Sequence, residues 1–499
     1  MNTENLKKAY YLSIIKCLSY VIGMVGVVVL LPVIMVIFYP EEQSQMQCFV
    51  LPGIAYILLG YLIYLFLNQY SVSEFQKNGG HLFVLLIWVI SIVLGAIPFY
   101  LTGGYSFVGA LFESTSGFTT TGFTITDVEN TTHMILIYRS LLHLIGGVGM
   151  VLVLSLILSR TFNMQLFKAE GHTDSIGASV ALSARMIIII YLGLIIGGTV
   201  LYTVFGMPIF DAVNHSISAV STGGFSTKAS SIGYWHSVPI DITTIVLMFL
   251  GATNFLTSLT FLRGKWRSVI NNSETRLFVF LIALVTPIVT VELLVNGICE
   301  HVLSAIDNAV FQVVAIITTT GLSTVDNFLP RCGNALIPIM FLMMVGGNSG
   351  STAGGIKAYR AALAVRTLFY NYRSETESKR IHRGKYIYRY GKMETIKDSE
   401  QISNYSYITL YILIGLLGTF ALMCCGYPFL DSFVEFFSAL GTVGMSIGIV
   451  SPAMSEGAMW IIMIGMLMAR LEINVFIISL FRISAIVRDV FKRGAFNDN

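Results

Sequence analysis

Apolar stretches long enough to cross a hydrocarbon layer of about 30 Å recur along this 499-residue chain, separated by short polar segments. They predict membrane helices near 11–38, 49–69, 81–101, 133–159, 184–206, 238–262, 276–297, 334–371, 404–426 and 457–487. Between the helices of each later pair lies a shorter apolar element, too short to span. These elements are 107–118, 209–220, 304–318 and 429–440. Runs such as Leu192 to Thr203 and Ile408 to Cys424 are continuous rather than alternating, which excludes a β-barrel. Backbone polar groups in lipid must be satisfied internally, so each run is read as a helix. The pattern is two introductory helices, then four copies of helix, re-entrant half-helix, loop and helix. Such repetition takes precedence over any local reading.

Each half-helix leads into a segment of one form, Thr-x-Gly-apolar-Ser/Thr. The four read Thr120-Thr121-Gly122-Phe123-Thr124, Thr222-Gly223-Gly224-Phe225-Ser226, Thr319-Thr320-Gly321-Leu322-Ser323 and Thr442-Val443-Gly444-Met445-Ser446. A threonine hydroxyl followed by extended carbonyls resembles the oxygen rings that replace the hydration shell of potassium. Irregular backbone at membrane depth survives only where protein buries it or it lines a watery cavity. Each half-helix also turns its partly negative C-terminal end toward that cavity, which favours a cation. A single segment would be read as small residues at a helix-packing face; four at one level imply an aqueous path. The fold class expected is therefore an all-α polytopic membrane protein, with two N-terminal helices and four helix–pore-loop–helix repeats around one central pore. The boundaries read from the pattern are 1–75 for the introductory pair, then repeats over 76–165, 166–270, 271–398 and 399–499.

Composition agrees: 55% of residues are hydrophobic, 11% are charged and the mean hydropathy is +0.76. A soluble domain carries about 25% charged residues. Lys7 and Lys8 before an apolar run mimic a signal peptide, but no small-residue cleavage site follows, so a retained first helix is expected. The six cysteines have no metal-type spacing, and adjacent Cys424 and Cys425 are read as packing residues. Basic residues collect on one side: Lys7 and Lys8, Arg160 and Lys168, Arg263 to Arg276, the segment 366–397, and a tail with Arg482, Arg488, Lys492 and Arg493. Glu41, Glu42, Asp127, Glu129 and Asp326 fall on the other. The positive-inside rule then places both termini and 366–397 in the cytoplasm and opens the four loops outward.

With these motifs the chain resembles the membrane subunit of the Trk/Ktr/HKT superfamily of potassium transporters, nearest the TrkH/TrkG branch, over nearly its whole length. The specific stretches are Ser116-Gly117-Phe118-Thr119-Thr120-Thr121-Gly122, Ser221 through Thr227, and Gly346-Gly347-Asn348-Ser349-Gly350-Ser351-Thr352-Ala353-Gly354-Gly355-Ile356-Lys357. The fourth segment is closer to the KtrB type. The resemblance implies potassium as the ion, selected by the four glycines, and a multi-pass protein of the inner (plasma) membrane. Sodium-coupled or sodium-permeable transport on the same fold is the alternative. It also implies a homodimer, each protomer with its own pore, and a cytoplasmic nucleotide-binding regulatory subunit of the TrkA type with an RCK-like fold. This chain has neither a Gly-x-Gly-x-x-Gly behind a strand nor a Walker A sequence, so nucleotide sensing belongs to that partner. No cofactor beyond potassium ions in the filter and no nucleic acid is expected, and the lipid bilayer is the remaining partner.

Two elements are candidates for gating. Residues 346–357 put so many glycines and hydroxyls into an apolar run that a plain spanning helix would break. They are read, with the family, as an intramembrane loop beneath the filter, Lys357 standing at its cytoplasmic side; a kinked helix with a small-residue face is the alternative. Arg470 lies about 20 Å into the expected last helix at 1.5 Å per residue, where an uncompensated charge costs at least about 2.5 kcal/mol. The resemblance implies a cation barrier in the pore; an ion pair between helices or snorkelling is the other reading. Glu113, His215, Gln312 and Glu435 stand nine residues before the four filter glycines and are read as anchors behind the loops. Asp211, Asp307 and Asp431, near half-helix starts, are read as caps or dipole partners. Arg139 and His143 are assigned no chemistry. The basic 366–397 segment is read as a solvated face with lipid-headgroup contact. A carrier with inverted repeats conflicts with four like-oriented copies, and a membrane enzyme would need a cluster of Asp, Glu or His that the eight scattered histidines do not supply.

Overall fold

The computed structural model describes residues 3–70, 79–149, 180–254, 257–258, 260, 264, 266–376, 385–389 and 392–497. The chain is mostly helical and forms two compact units. One comprises Met1–Phe118, Thr132–Ile188 and Arg470–Asn499; the other comprises Thr119–Thr131 and Ile189–Ala469. The ends predicted for the helices at 133–159 and 238–262 lie wholly or partly outside the described residues, as do Arg160, Lys168, Arg263 and Lys265.

In the first unit, α1 (Thr3–Leu30) continues as a 3₁₀ turn over Leu31–Ile37 and packs along α2 (Gln47–Leu67). Close approach is possible because Gly26, Gly53 and Gly60 present bare backbone at the contact; a Cβ on any of them would strike the facing helix. Next come α3 (Gly79–Leu101), the half-helix α4 (Phe107–Phe118) and α5 (His133–Val148). The loop after α1 also caps α5. The buried Glu42 carboxylate accepts the backbone N–H groups of His133 at 2.7 Å and Met134 at 3.0 Å. His133 Nδ1 lies 2.8 Å from the same carboxylate, and the Tyr39 ring stacks on the imidazole at 3.6 Å. A carboxylate at exposed N–H groups is the favoured partner for a helix start.

The second unit carries most of α6 (Val180–Val204), the half-helix α7 (Ile209–Val220), α8 (Val238–Gly251), α9 (Ser273–Val295) and the half-helix α10 (Val302–Ile317). There follow α11 (Leu336–Val345), α12 (Ala358–Thr376), a hairpin of β1 (Tyr386–Arg389) and β2 (Lys392–Thr395), α13 (Asp398–Cys424), the half-helix α14 (Phe429–Gly441) and α15 (Glu456–Arg470). Phe436 and Phe437 of α14 fill the grooves left by Gly418 and Gly415 of α13 and by Gly465 of α15. Among the described residues six helices are long and apolar enough to span a membrane. The half-helices, at 12 to 16 residues, are not.

Two expectations need correction. The last helix is not continuous: α15 ends at Arg470, and α16 (Ile473–Asn497) begins after Glu472, a non-glycine residue at φ +58°. A left-handed residue at that point turns the chain off the helical path, a break that an apolar run does not announce. Nor is 366–397 a featureless solvated face. Tyr386–Arg389 and Lys392–Thr395 form an antiparallel pair, Tyr386 opposite Thr395 and Arg389 opposite Lys392. Its Ile387 packs with Ile396 and Leu363 of α12, and the Tyr388 N–H reaches Ser273 Oγ at 3.2 Å. Lys379, Arg380 and Arg383 of the same segment lie outside the described residues.

Candidate ion-binding site

The four Thr-x-Gly segments all belong to the second unit and share one backbone conformation. Thr120, Thr222, Thr319 and Thr442 have φ of 53°, 51°, 54° and 52°, and the following Gly122, Gly224, Gly321 and Gly444 have φ of 90°, 88°, 76° and 74°. A β-branched residue in the left-handed region is a strained outlier. Here it arises from the way each half-helix ends. Gly223 N–H bonds the Ser218 carbonyl at 2.9 Å and Thr222 N–H the Ala219 carbonyl at 3.3 Å. The same two bonds run from Thr320 to Ala315 and Thr319 to Ile316, and from Val443 to Ser438 and Thr442 to Ala439. This is the helix-ending motif that requires a left-handed residue and normally takes glycine there.

The segments interlock in a closed order. A Cβ on Gly122 would fall on the Gly223 carbonyl oxygen; on Gly224, on that of Thr320; on Gly321, on that of Val443; and on Gly444, on that of Thr121. Each glycine thus faces the middle residue of the next segment, and the fourth returns to the first. All four approaches are under 3 Å, closer than any side chain tolerates, so only glycine fits.

In three of the four segments the residue nine before the glycine reaches the Ser/Thr position two after it. Glu435 accepts Ser446 Oγ at 2.6 Å, Ile447 N–H at 2.9 Å and Val450 N–H at 3.0 Å. His215 Nε2 is 2.9 Å from Ser226 Oγ, while its Nδ1 is 2.8 Å from the Asp211 carbonyl. Gln312 pairs with Ser323 Oγ at 2.7 Å, and its amide oxygen is oriented to accept Ser323, Thr324 N–H and Val325 N–H. Asp211 takes a bond from Thr227 Oγ1 at 2.6 Å. In the first unit, Glu113 receives Arg139 Nε at 2.9 Å, both side chains being fully buried. Arg139 was left without chemistry by sequence reasoning, and Glu113 is the partner that explains it. In the loop after Gly122, the Asn130 amide bonds exposed Asp127 at 2.7 Å and holds its carboxyl below the usual range.

Residues 346–357 do interrupt the helix, as expected, and they lie against three of the four threonines. Thr352 Oγ1 is 3.0 Å from Thr222 Oγ1 and donates to the Gly251 carbonyl at 3.0 Å. Gly354 N–H donates to Thr319 Oγ1 at 2.9 Å, and a Cβ on Gly354 would fall on Thr442 Oγ1. The loop closes on itself: Gly346 packs against Gly354 and Gly355, and the Ile356 and Lys357 N–H groups return to Met344 and Val345. It is pinned to the end of α8, where Asn348 N–H reaches the Ala252 carbonyl at 3.0 Å and Asn254 donates to the Ser349 carbonyl. Gly347 packs on Ala353 and Ala252, Gly350 on Asn254, and Ser351 Oγ bonds the Asn348 carbonyl at 2.7 Å. Asn254 was missed in the sequence because nothing local marks it. Lys357, at φ +82°, turns its ammonium back to the Ala353 carbonyl.

Arg470 closes α15 and binds within the first unit. Its guanidinium donates to the carbonyls of Gly146 and Gly147, the latter at 3.3 Å, and lies 5.4 Å from the Trp88 ring. Among the described residues no three His, Cys, Asp or Glu side chains group as a metal site.

A polytopic helical protein with four half-helices feeding four like-built glycine segments into one ring is a membrane protein of channel-like construction. The chain belongs to the TrkH family of cation transport proteins, which matches residues 65–485. It is therefore a membrane transport protein rather than an enzyme. Among its relatives, the Trk system potassium uptake protein TrkH of Halomonas elongata is 30% identical, covering 92% of this chain and 96% of that one. The protein of the same name from Salmonella typhimurium is 29% identical over 81% of this chain and 86% of its own. The crystal structure of the potassium transporter TrkH from Vibrio parahaemolyticus superposes with a TM-score of 0.81 at 26% identity, covering 94% and 98% of the two chains.

Proposed function

We propose that the protein is the ion-conducting membrane subunit of a potassium uptake system. The observation that carries this reading is the closed order of glycine against carbonyl through Gly122, Gly224, Gly321 and Gly444. It sets four segments of one conformation into a single ring, the arrangement in which backbone oxygens replace a hydration shell. The middle residues are Thr121, Gly223, Thr320 and Val443, so selection rests on main-chain oxygens rather than on four identical side chains. Potassium is the ion named for the relatives that match over most of the chain.

The loop 346–357 is the gate in this reading, supported by its contacts to Thr222, Thr319 and Thr442. Arg470 is the electrostatic barrier, supported by its place at the end of α15 with its guanidinium on the Gly146 and Gly147 carbonyls. The chain lies in the plasma membrane as a dimer with both termini cytoplasmic. A separate nucleotide-binding subunit acts on it, consistent with the naming of its relatives as parts of a system. The test is rubidium and potassium flux into liposomes at clamped potential, with sodium and pH varied independently. Passage of neither ion, with the regulatory partner supplied, overturns the proposal; flux that requires a sodium gradient favours the sodium-coupled alternative.

A further inference from the structure

A groove of about 770 Å³ runs between α12 and α13, away from the filter. Its floor on α13 is a single helical stripe at intervals of three and four residues. The stripe runs through Asp398, Ile402, Tyr405, Thr409 and Leu413, with Gln401 at its polar end and Ser406 and Leu410 alongside. At 1.5 Å per residue it climbs about 22 Å along a helix that is long and apolar enough to span the membrane. One end of the groove is therefore polar and charged, and the other is hydrocarbon-like.

The polar end is a built cradle. Lys385, at the foot of the hairpin, is held because its carbonyl accepts Ile396 N–H at 2.8 Å. Its ammonium lies 3.3 Å from Asn371 Oδ1, 3.2 Å from Gln401 Oε1 and 3.8 Å from Asp398 Oδ1. Asp398 is nearly fully exposed, at 89%, whereas Lys385 is at 31%. A recessed cation thus adjoins a projecting anion. One turn from Asn371, Thr367 also lines the groove; it is 1% exposed, and its hydroxyl has no hydrogen-bond partner among the described residues. A buried hydroxyl without a partner costs about 1–3 kcal/mol, and a ligand oxygen in the groove would remove that cost.

We propose that this groove binds a phospholipid with a primary-amine headgroup. The phosphate takes Lys385 and the Thr367 hydroxyl, the ammonium donates to Asp398, and an acyl chain lies over Leu410 and Leu413. The order of charges, cation inside and anion outside, matches a headgroup whose phosphate precedes its amine. A quaternary headgroup of the same charge has no N–H to donate and is the poorer fit. This assignment is independent of the potassium reading.

The experiment is native mass spectrometry of the full chain in detergent, with phosphatidylethanolamine and phosphatidylcholine of identical chains. Wild type retains the ethanolamine lipid in preference to the choline lipid. Lys385→Met weakens retention about tenfold, as loss of one charge-assisted bond implies. Asp398→Asn abolishes the headgroup preference while lipid still binds. Leu413→Trp, which fills the groove without touching the cradle, also displaces lipid and guards against a folding defect in the first variant. Equal retention by wild type and all three variants overturns the proposal. So does displacement by inorganic phosphate alone, which makes the cradle a free-anion site. A disulfide-linked dimer from Leu413→Cys in native membranes would show that a second copy covers the groove, and that outcome overturns it as well.

Discussion

The Glu435 carboxylate accepts a hydrogen bond from Ser446 Oγ at 2.6 Å, eleven residues farther along the chain. The same interval joins His215 to Ser226 and Gln312 to Ser323. Three chemically different side chains thus brace three Thr-x-Gly segments through one hydroxyl position, and the carboxylate takes two backbone N–H groups besides. Glu435→Ala leaves those donors buried without an acceptor, at about 1–3 kcal/mol apiece. The expected outcome is a lower unfolding temperature and loss of potassium selectivity, while Glu435→Gln keeps part of both. Thermal unfolding in detergent beside rubidium uptake checks it; an unaltered ion preference in Glu435→Ala would remove the bracing role.

A side chain at any of the four ring glycines must displace the next segment's carbonyl. Gly122→Ser and Gly224→Ser should therefore lower the preference for potassium over sodium, each acting through its neighbour, Gly223 or Thr320. Competition between the two ions for rubidium flux measures this. Unchanged ratios in both variants would count against the ring as the selective element.

Thr352 ties the intramembrane loop both to Thr222 and to the end of α8. Thr352→Val keeps the shape and removes both bonds, worth about 0.5–1.5 kcal/mol each. Basal flux should rise several-fold as the loop loosens, with a modest fall in unfolding temperature. Flux equal to wild type would detach these bonds from gating.

Arg470→Ala removes a positive charge held on two carbonyls and is expected to raise cation flux. Arg470→Lys should stay near wild type. A fall in flux with Ala, accompanied by lower thermal stability, would instead identify a structural link to Gly146 and Gly147.

Glu113 and Arg139 form a buried ion pair, and breaking such a pair strands one charge at about 3–5 kcal/mol. Glu113→Leu or Arg139→Met alone should destabilise the protein severely, whereas the double variant recovers most of the loss. A double-mutant cycle in thermal unfolding decides it; additive losses would mean that the two side chains do not act as a pair.

The half-helices were legible because their length and apolarity set them apart from spanning runs. The filter segments stood out through repetition of Thr and Gly at fixed offsets from them. The same offsets exposed Glu113, His215, Gln312 and Glu435, although the hydroxyls they brace were visible only as the final letter of the motif. Three features left no such mark. The turn at Glu472 depends on a backbone angle available to any residue at a cost. The Glu113–Arg139 pair joins two helices whose register no single sequence fixes. The hairpin at 386–395 is held by Leu363, Ser273 and Arg366 from elements far away in sequence, so its four-residue strands look like charged linker.

The closed order of the four glycine segments bears on how the protein is made. Thr119–Thr131 belongs to the same compact unit as Ile189–Ala469, and its last neighbour in the ring is Gly444 of the fourth segment. During synthesis the first segment therefore waits in the membrane, half-helix already emerged, until nearly the whole chain has followed it. No partial ring is available to a nascent chain cut short after the third segment. Such fragments should insert yet stay open to proteolysis at residues 119–131, and it is the fourth segment, Thr442–Ser446 after α14, that shuts the door.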